Sequence, residues 1–244
     1  SVDVFVREGE MTAQVAIAVV ADSMSFGSTI GLTAEAAGFV GASQTYFLTL
    51  AQPILLGTQF GGGALPIGVG QRNDAYVYAE AGQVARDRTF RVRSLNPAVL
   101  LIDTLAVVPR LEIYSNSLTL QALSVGTAAV EFGNAQFGFD TSFVTVEASR
   151  IQVSFPSTSG TVGSERMMFY SVRSSSGVSG RPLNDLPITF TSRDPLVAQP
   201  NVGVSVLTAG EYEAGITVSL LGAGSTYIVA SAAGFAPDSF LVSV

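Results

Sequence analysis

Two pairs of carboxylates are spaced to share a strand face: Glu8 with Glu10, and Glu211 with Glu213. Two positions of extended chain span roughly 7 Å, a separation that glycosidase dyads use. Each pair flanks or follows a turn glycine, Gly9 or Gly210, where solvated strand ends are expected, so a surface role outweighs catalysis. Calcium capture would need about six to eight oxygens, more than one pair supplies. The densest basic stretch runs Arg86-Asp87-Arg88-Thr89-Phe90-Arg91-Val92-Arg93. Arg86, Arg88, Arg91 and Arg93 form the candidate anionic-ligand patch, able to hold phosphate or carboxylate groups of anionic glycans. Strand alternation places Arg86 and Arg88 on one face and Arg91 and Arg93 on the other. The plainer expectation is a solvated strand whose arginines pair with neighbouring Asp and Glu. Tyr76 and Tyr78 share a face that could stack a sugar, although core and cross-strand packing is the commoner fate of such residues. The glycine-rich stretch 61–70 invites a nucleotide-loop reading. It fails because Gly68-Val69-Gly70-Gln71-Arg72-Asn73 lacks the third glycine and no helix follows.

What is missing excludes more. The sequence contains no His, Cys, Trp or Lys, and all twelve cations are Arg. That removes disulfides, Cys/His metal centres, His-dependent triads, Schiff-base lysines and P-loop chemistry. No catalytic, metal or cofactor residues are assigned, and the chain is read as a non-enzyme. A net charge of -7 argues against nucleic acid as a partner. Apolar runs such as 13–21 and 105–109 fall short of the roughly 20 residues that span a bilayer, so no membrane insertion is expected in this segment. The opening Ser1-Val2-Asp3-Val4-Phe5-Val6 reads as a strand and lacks an initiator Met, which suggests a piece of something longer.

The elements that position these residues repeat. Phe47, Phe143 and Phe240 close three similar segments and stand 96 and 97 residues apart. Gly27-Ser28-Thr29, Gly126-Thr127-Ala128 and Gly224-Ser225-Thr226 each precede the penultimate strand. The stretch Phe90 to Pro97 and Val99 parallels Phe190 to Pro195 and Val197. Residues 53–148 and 149–244 make two full repeats, and 1–52 matches only the C-terminal half of one. Period-2 alternation, as at Ile216, Val218 and Leu220, with turns every 8–12 residues or so, favours β-sandwiches. Residues 11–20 and 212–221 are read as strands, whereas 96–108 could also be argued as helical. The half-repeat would leave Val2, Val4 and Val6 without a partner sheet, so upstream sequence or a neighbouring copy is expected to complete it.

The third repeat resembles the bacterial immunoglobulin-like (Big-type) tandem repeats of large cell-surface and adhesin proteins. The resemblance rests on three motifs. The first is Pro187-Ile188-Thr189-Phe190-Thr191-Ser192-Arg193-Asp194-Pro195-Leu196-Val197. The second is Thr208-Ala209-Gly210-Glu211-Tyr212. The third is Gly224-Ser225-Thr226-Tyr227-Ile228-Val229-Ala230-Ser231-Ala232-Ala233-Gly234-Phe235. It is looser in the second repeat, where Ser94-Leu95-Asn96-Pro97 replaces the Asp-Pro turn. What the resemblance implies is an extracellular stalk, filament or lattice module; it transfers no functional residues.

The expectation is therefore an all-β chain of tandem immunoglobulin-like β-sandwiches, structural and extracellular, at a cell surface. Its partners would be other copies of itself or neighbouring repeats of a longer chain, with surface glycans as further candidates. The alternatives are a glycan-binding adhesin and an accessory module of a large secreted hydrolase.

Overall fold

A computed structural model describes residues 29–35, 37, 41–47, 53–57, 66–79, 87–110, 112, 114–135, 138–156 and 159–244. The described residues contain twenty strands and no helix. A first pair comprises β1 (Thr29–Ala34) and β2 (Ala42–Phe47). Next come β3 (Pro53–Gly57), β4 (Ile67–Gly68), β5 (Gln71–Ala79), β6 (Arg88–Ser94), β7 (Leu100–Ile102), β8 (Leu105–Val108), β9 (Leu118–Ala122), β10 (Gly126–Asn134) and β11 (Gly138–Glu147). The last set is β12 (Ser149–Ser154), β13 (Glu165–Ser174), β14 (Ser179–Pro182), β15 (Leu186–Ser192), β16 (Ala198–Pro200), β17 (Val204–Leu207), β18 (Glu213–Leu220), β19 (Ser225–Ala232) and β20 (Phe235–Ser243). Residues 96–108, open to a helical reading in the sequence, hold the short strands β7 and β8. Residues 1–28 lie outside the described residues, and with them Glu8, Glu10 and the valine row at 2–6.

The pairing builds the same two-layer sandwich twice. In the middle of the chain one layer runs β3-β5-β9-β7 and the other β4-β11-β10-β6-β8. Toward the C-terminus the first layer runs β12-β13-β18-β16 and the second β20-β19-β15-β17. Each sandwich has its own apolar interior. The middle interior is built on Phe90, Val92, Leu118, Val130 and Phe132, the C-terminal interior on Ile151, Met168, Tyr170, Ile188 and Phe190. The alternation seen in sequence explains this: strands β6 and β15 bury every second residue in the same order and leave the others to the outer face. Fully burying one such side chain contributes about 1.5–3 kcal/mol, so the two interiors supply most of the driving force.

Equivalent positions of the two sandwiches lie 98 residues apart, Gly126 to Gly224 and Val99 to Val197. Both glycines have positive φ, 153° and 142°, and a Cβ at either would press on the valine Cγ2 at 3.2 Å. Leu123 and Leu221 donate N–H bonds to the Val99 and Val197 carbonyls at 2.9 and 2.8 Å.

This register corrects two sequence expectations. The three closing phenylalanines do not share a position: Phe47 faces Thr29, Phe143 faces Ala129 and Phe240 faces Ile228. Counted from Gly27, Gly126 and Gly224, these partners are two, three and four residues along. The cause is local: Phe143 is three residues beyond Asp140, Phe240 only two beyond Asp238. One residue of slip reverses the face. Phe143 is 58% exposed, while Phe240 stacks on Phe155 at 4.8 Å against the interior. Likewise Phe190 corresponds to Val92, not Phe90, because their N–H groups bond Gly203 and Thr104 from matching places.

Candidate functional site: the junction between the sandwiches

Strands β11 and β12 are separated by Ala148 alone. A connection this short gives the sandwiches no slack, and the sequence around it closes the remaining gap. After β13 the chain turns at residues 175–178 and returns as β14, which pairs on both edges. Val172 and Arg173 of β13 face Gly180 and Ser179; Arg72 and Gln71 of β5 face Arg181 and Pro182. A strand of the last sandwich thus extends a sheet of the middle one. Leu183 N–H continues the pairing to Gly70 O at 2.9 Å. Gly70, at φ 75°, makes the tight turn into β5, so the end of the glycine-rich 61–70 stretch serves strand entry.

Polar side chains seal this contact. Gln71 is fully buried and donates from Nε2 to Ser149 Oγ at 3.0 Å, and Ser149 Oγ donates to Val69 O at 2.7 Å. Pairing of this kind lets the Gln71 amide nitrogen be buried, while its Oε1 is buried without a hydrogen-bond partner among the described residues. Gly68 and Gly180 lack the side chains that would collide with Gln71. Asn73 Nδ2 reaches Ser179 O at 3.4 Å. Glu147 Oε2 accepts from Ser175 Oγ and from Ser176 N–H, both at 2.9 Å. The Ser176 backbone bond, with the serine hydroxyls, holds the Glu147 carboxyl below the ordinary carboxylate range. Arg181 Nη2 donates to Asp74 Oδ1 at 2.6 Å, and its guanidinium lies 5.2 Å from the Tyr212 ring centroid.

The sequence-derived candidates are distributed differently. Arg86 lies outside the described residues. Arg88 opens β6 on the parity of buried Phe90 and Val92, and Arg91 and Arg93 occupy the outer face. Arg93 Nε bonds Glu131 Oε1 at 2.8 Å from directly across the strand pair. That hydrogen bond and the carboxylate's charge favour the protonated guanidinium further. Glu211 sits in an exposed turn and Glu213 faces Ser171 from the start of β18. Tyr76 packs edge-on to Tyr114, ring centroids 6.4 Å apart; the side chain of Tyr78 lies outside the described residues. Tyr170, in the corresponding strand, is buried and donates to Ser205 Oγ at 2.7 Å. Among the described residues no group of three or more His, Cys, Asp or Glu could hold a metal ion.

Sequence reading missed the arginines that the junction assembles. Arg150 faces Arg173 across β12 and β13, and Arg72 faces Arg181 across β5 and β14. Only the pairing of strands far apart in sequence brings these together, so no local pattern announced them.

No family model and no curated protein matches the chain. Among solved structures it is similar to domains 4 and 5 of the S-layer protein SbsC, at 21% identity over 64% of this chain and 75% of that one, TM-score 0.31. The adhesin InvE of Yersinia pseudotuberculosis gives 12% identity over 79% of this chain, TM-score 0.35. A β-glycosidase from Bacteroides vulgatus gives 10% identity over 81%, TM-score 0.35. The chain spans 58% of the InvE chain and 25% of the glycosidase chain. At these TM-scores the likeness assigns neither family nor activity.

Proposed function

We propose that the chain is a non-enzymatic spacer of an extracellular surface structure, with residues 53–148 and 149–244 acting as immunoglobulin-like units locked end to end. The observation that carries this reading is β14. A strand shared between two sandwiches, joined by the single residue Ala148, suits a module that transmits position. Free hinging would break backbone hydrogen bonds and expose Gln71. The side-chain bonds support the same reading: Gln71, Glu147 and Arg181 each hold one sandwich to the other. Stalk, filament and lattice all require this stiffness, and neighbouring repeats or further copies are the partners they imply.

Small-angle scattering of the whole chain, with antibody labelling of intact source cells, tests the reading. A rigid scattering profile together with surface labelling is expected. A profile of independently tumbling units, or labelling only after cells are broken, would overturn it.

A further inference from the structure

Arg150 and Arg173 stand directly opposite each other, as do Arg72 and Arg181, and Ser179 beside Arg173 is two residues from Arg181. All four lie on the outer face, because their chain neighbours Ser149, Ile151, Val172, Ser174, Gly180, Pro182, Gln71 and Asn73 are buried. They cross four adjacent strands, β12, β13, β14 and β5, in a slanted row about 14 Å across the strands and offset by about 7 Å along them. Like charges placed directly opposite destabilise a sheet, and this chain has 19 acidic residues against twelve arginines. Two adjacent Arg–Arg pairs are therefore a local conflict that folding alone does not explain. Acidic groups nearby resolve little of it. Asp74 takes Arg181, Glu147 is held by Ser175 and Ser176, and Glu213 faces Ser171. Among the described residues Arg72, Arg150 and Arg173 have no ion-pair partner, and the guanidinium of Arg173 is held by a single backbone bond from Nη1 to Gly177 O at 3.1 Å.

Aromatic rings flank the row. Tyr212, half exposed, lies against Arg181, and Tyr76 follows Arg72 and Asp74 on the same face of β5. We propose that this face binds a linear acidic polysaccharide, its sulfate or carboxylate groups on the arginines and its sugar rings against Tyr212 and Tyr76. Guanidinium forks match both anions, and tyrosine offers an apolar face with a polar edge. The extended row fits a polymer better than a single ion. This binding is independent of the spacer role.

Calorimetric titration of the full chain at low salt, with dextran sulfate, polygalacturonate, neutral dextran and polyglutamate as probes, tests the proposal. Binding of one or both acidic polysaccharides is expected, with dextran silent and polyglutamate at least tenfold weaker. The sulfate and carboxylate arms identify the anion. R150Q/R173Q should weaken binding at least tenfold, while R91Q/R93Q, which removes equal charge from another outer face, should change it less than twofold. R150Q alone should weaken binding while leaving the melting temperature unchanged or raised, as relief of repulsion requires. Equal losses in both double variants, polyglutamate binding as tight as polygalacturonate, or no binding of either acidic polysaccharide would overturn the proposal.

Discussion

Arg181 and Asp74 belong to different sandwiches and meet at 2.6 Å, in the same two strands whose backbones pair across the junction. Arg181 also lies over Tyr212 of its own sandwich, so one guanidinium ties β14 to the units on both sides. A loop that merely touched its neighbour would need neither the backbone register nor the ion pair.

A double-mutant cycle on Asp74→Ala and Arg181→Ala should show coupling of about 1 kcal/mol in urea unfolding, since the side chains are only 30% and 17% exposed. The Arg93–Glu131 pair, with Arg93 66% exposed, should couple less. Additive effects of the first two substitutions would mean that the bridge does not hold the junction.

The Glu147 carboxyl gives the junction a pH dependence of defined sign. Its folded-state pKa lies below the ordinary 4.5, so the unfolded state binds the proton more readily. The stabilisation is complete above the ordinary value and is lost as pH falls through the depressed one. Chain stability should decline as pH drops below about 4.5, and Glu147→Gln should flatten that part of the curve. An unchanged slope in the variant would exclude Glu147 as a contributor.

Gly180→Ala introduces a methyl group against the Gln71 side chain, which is enclosed and has nowhere to swing. Overpacking of this kind costs about 1–3 kcal/mol. The expected result is a less stable chain whose residues 71–73, 180, 181 and 183 exchange amide hydrogens faster, while the interior around Phe132 stays protected. Uniformly faster exchange through both interiors would point to a different role for Gly180.

Much of this architecture is legible in sequence because its causes are local. Alternation at Ile216, Val218 and Leu220 and the turn landmarks Pro97/Val99 and Pro195/Val197 each state a strand or corner by themselves. The register of the closing strands is not legible: Phe143 and Phe240 look equivalent until one extra residue after Asp140 turns their faces apart. The junction is hidden more deeply. Arg181 and Asp74 are 107 positions apart, and nothing local to residues 179–182 announces the pairing of β14 with β5. The arginine row follows from that pairing, whereas the stretch that looked basic in sequence divides between two faces of β6.

The most direct test of a locked junction is a pulsed dipolar distance measurement, simplified by the absence of cysteine. Spin labels on cysteines at Thr145 and Ser231, exposed positions in different sandwiches, should give one narrow distance distribution. Its width should match that of a control pair at Thr161 and Ser231 within the last sandwich, and Gly180→Ala should broaden it. A distribution several-fold broader than the control in the unsubstituted junction would contradict the account.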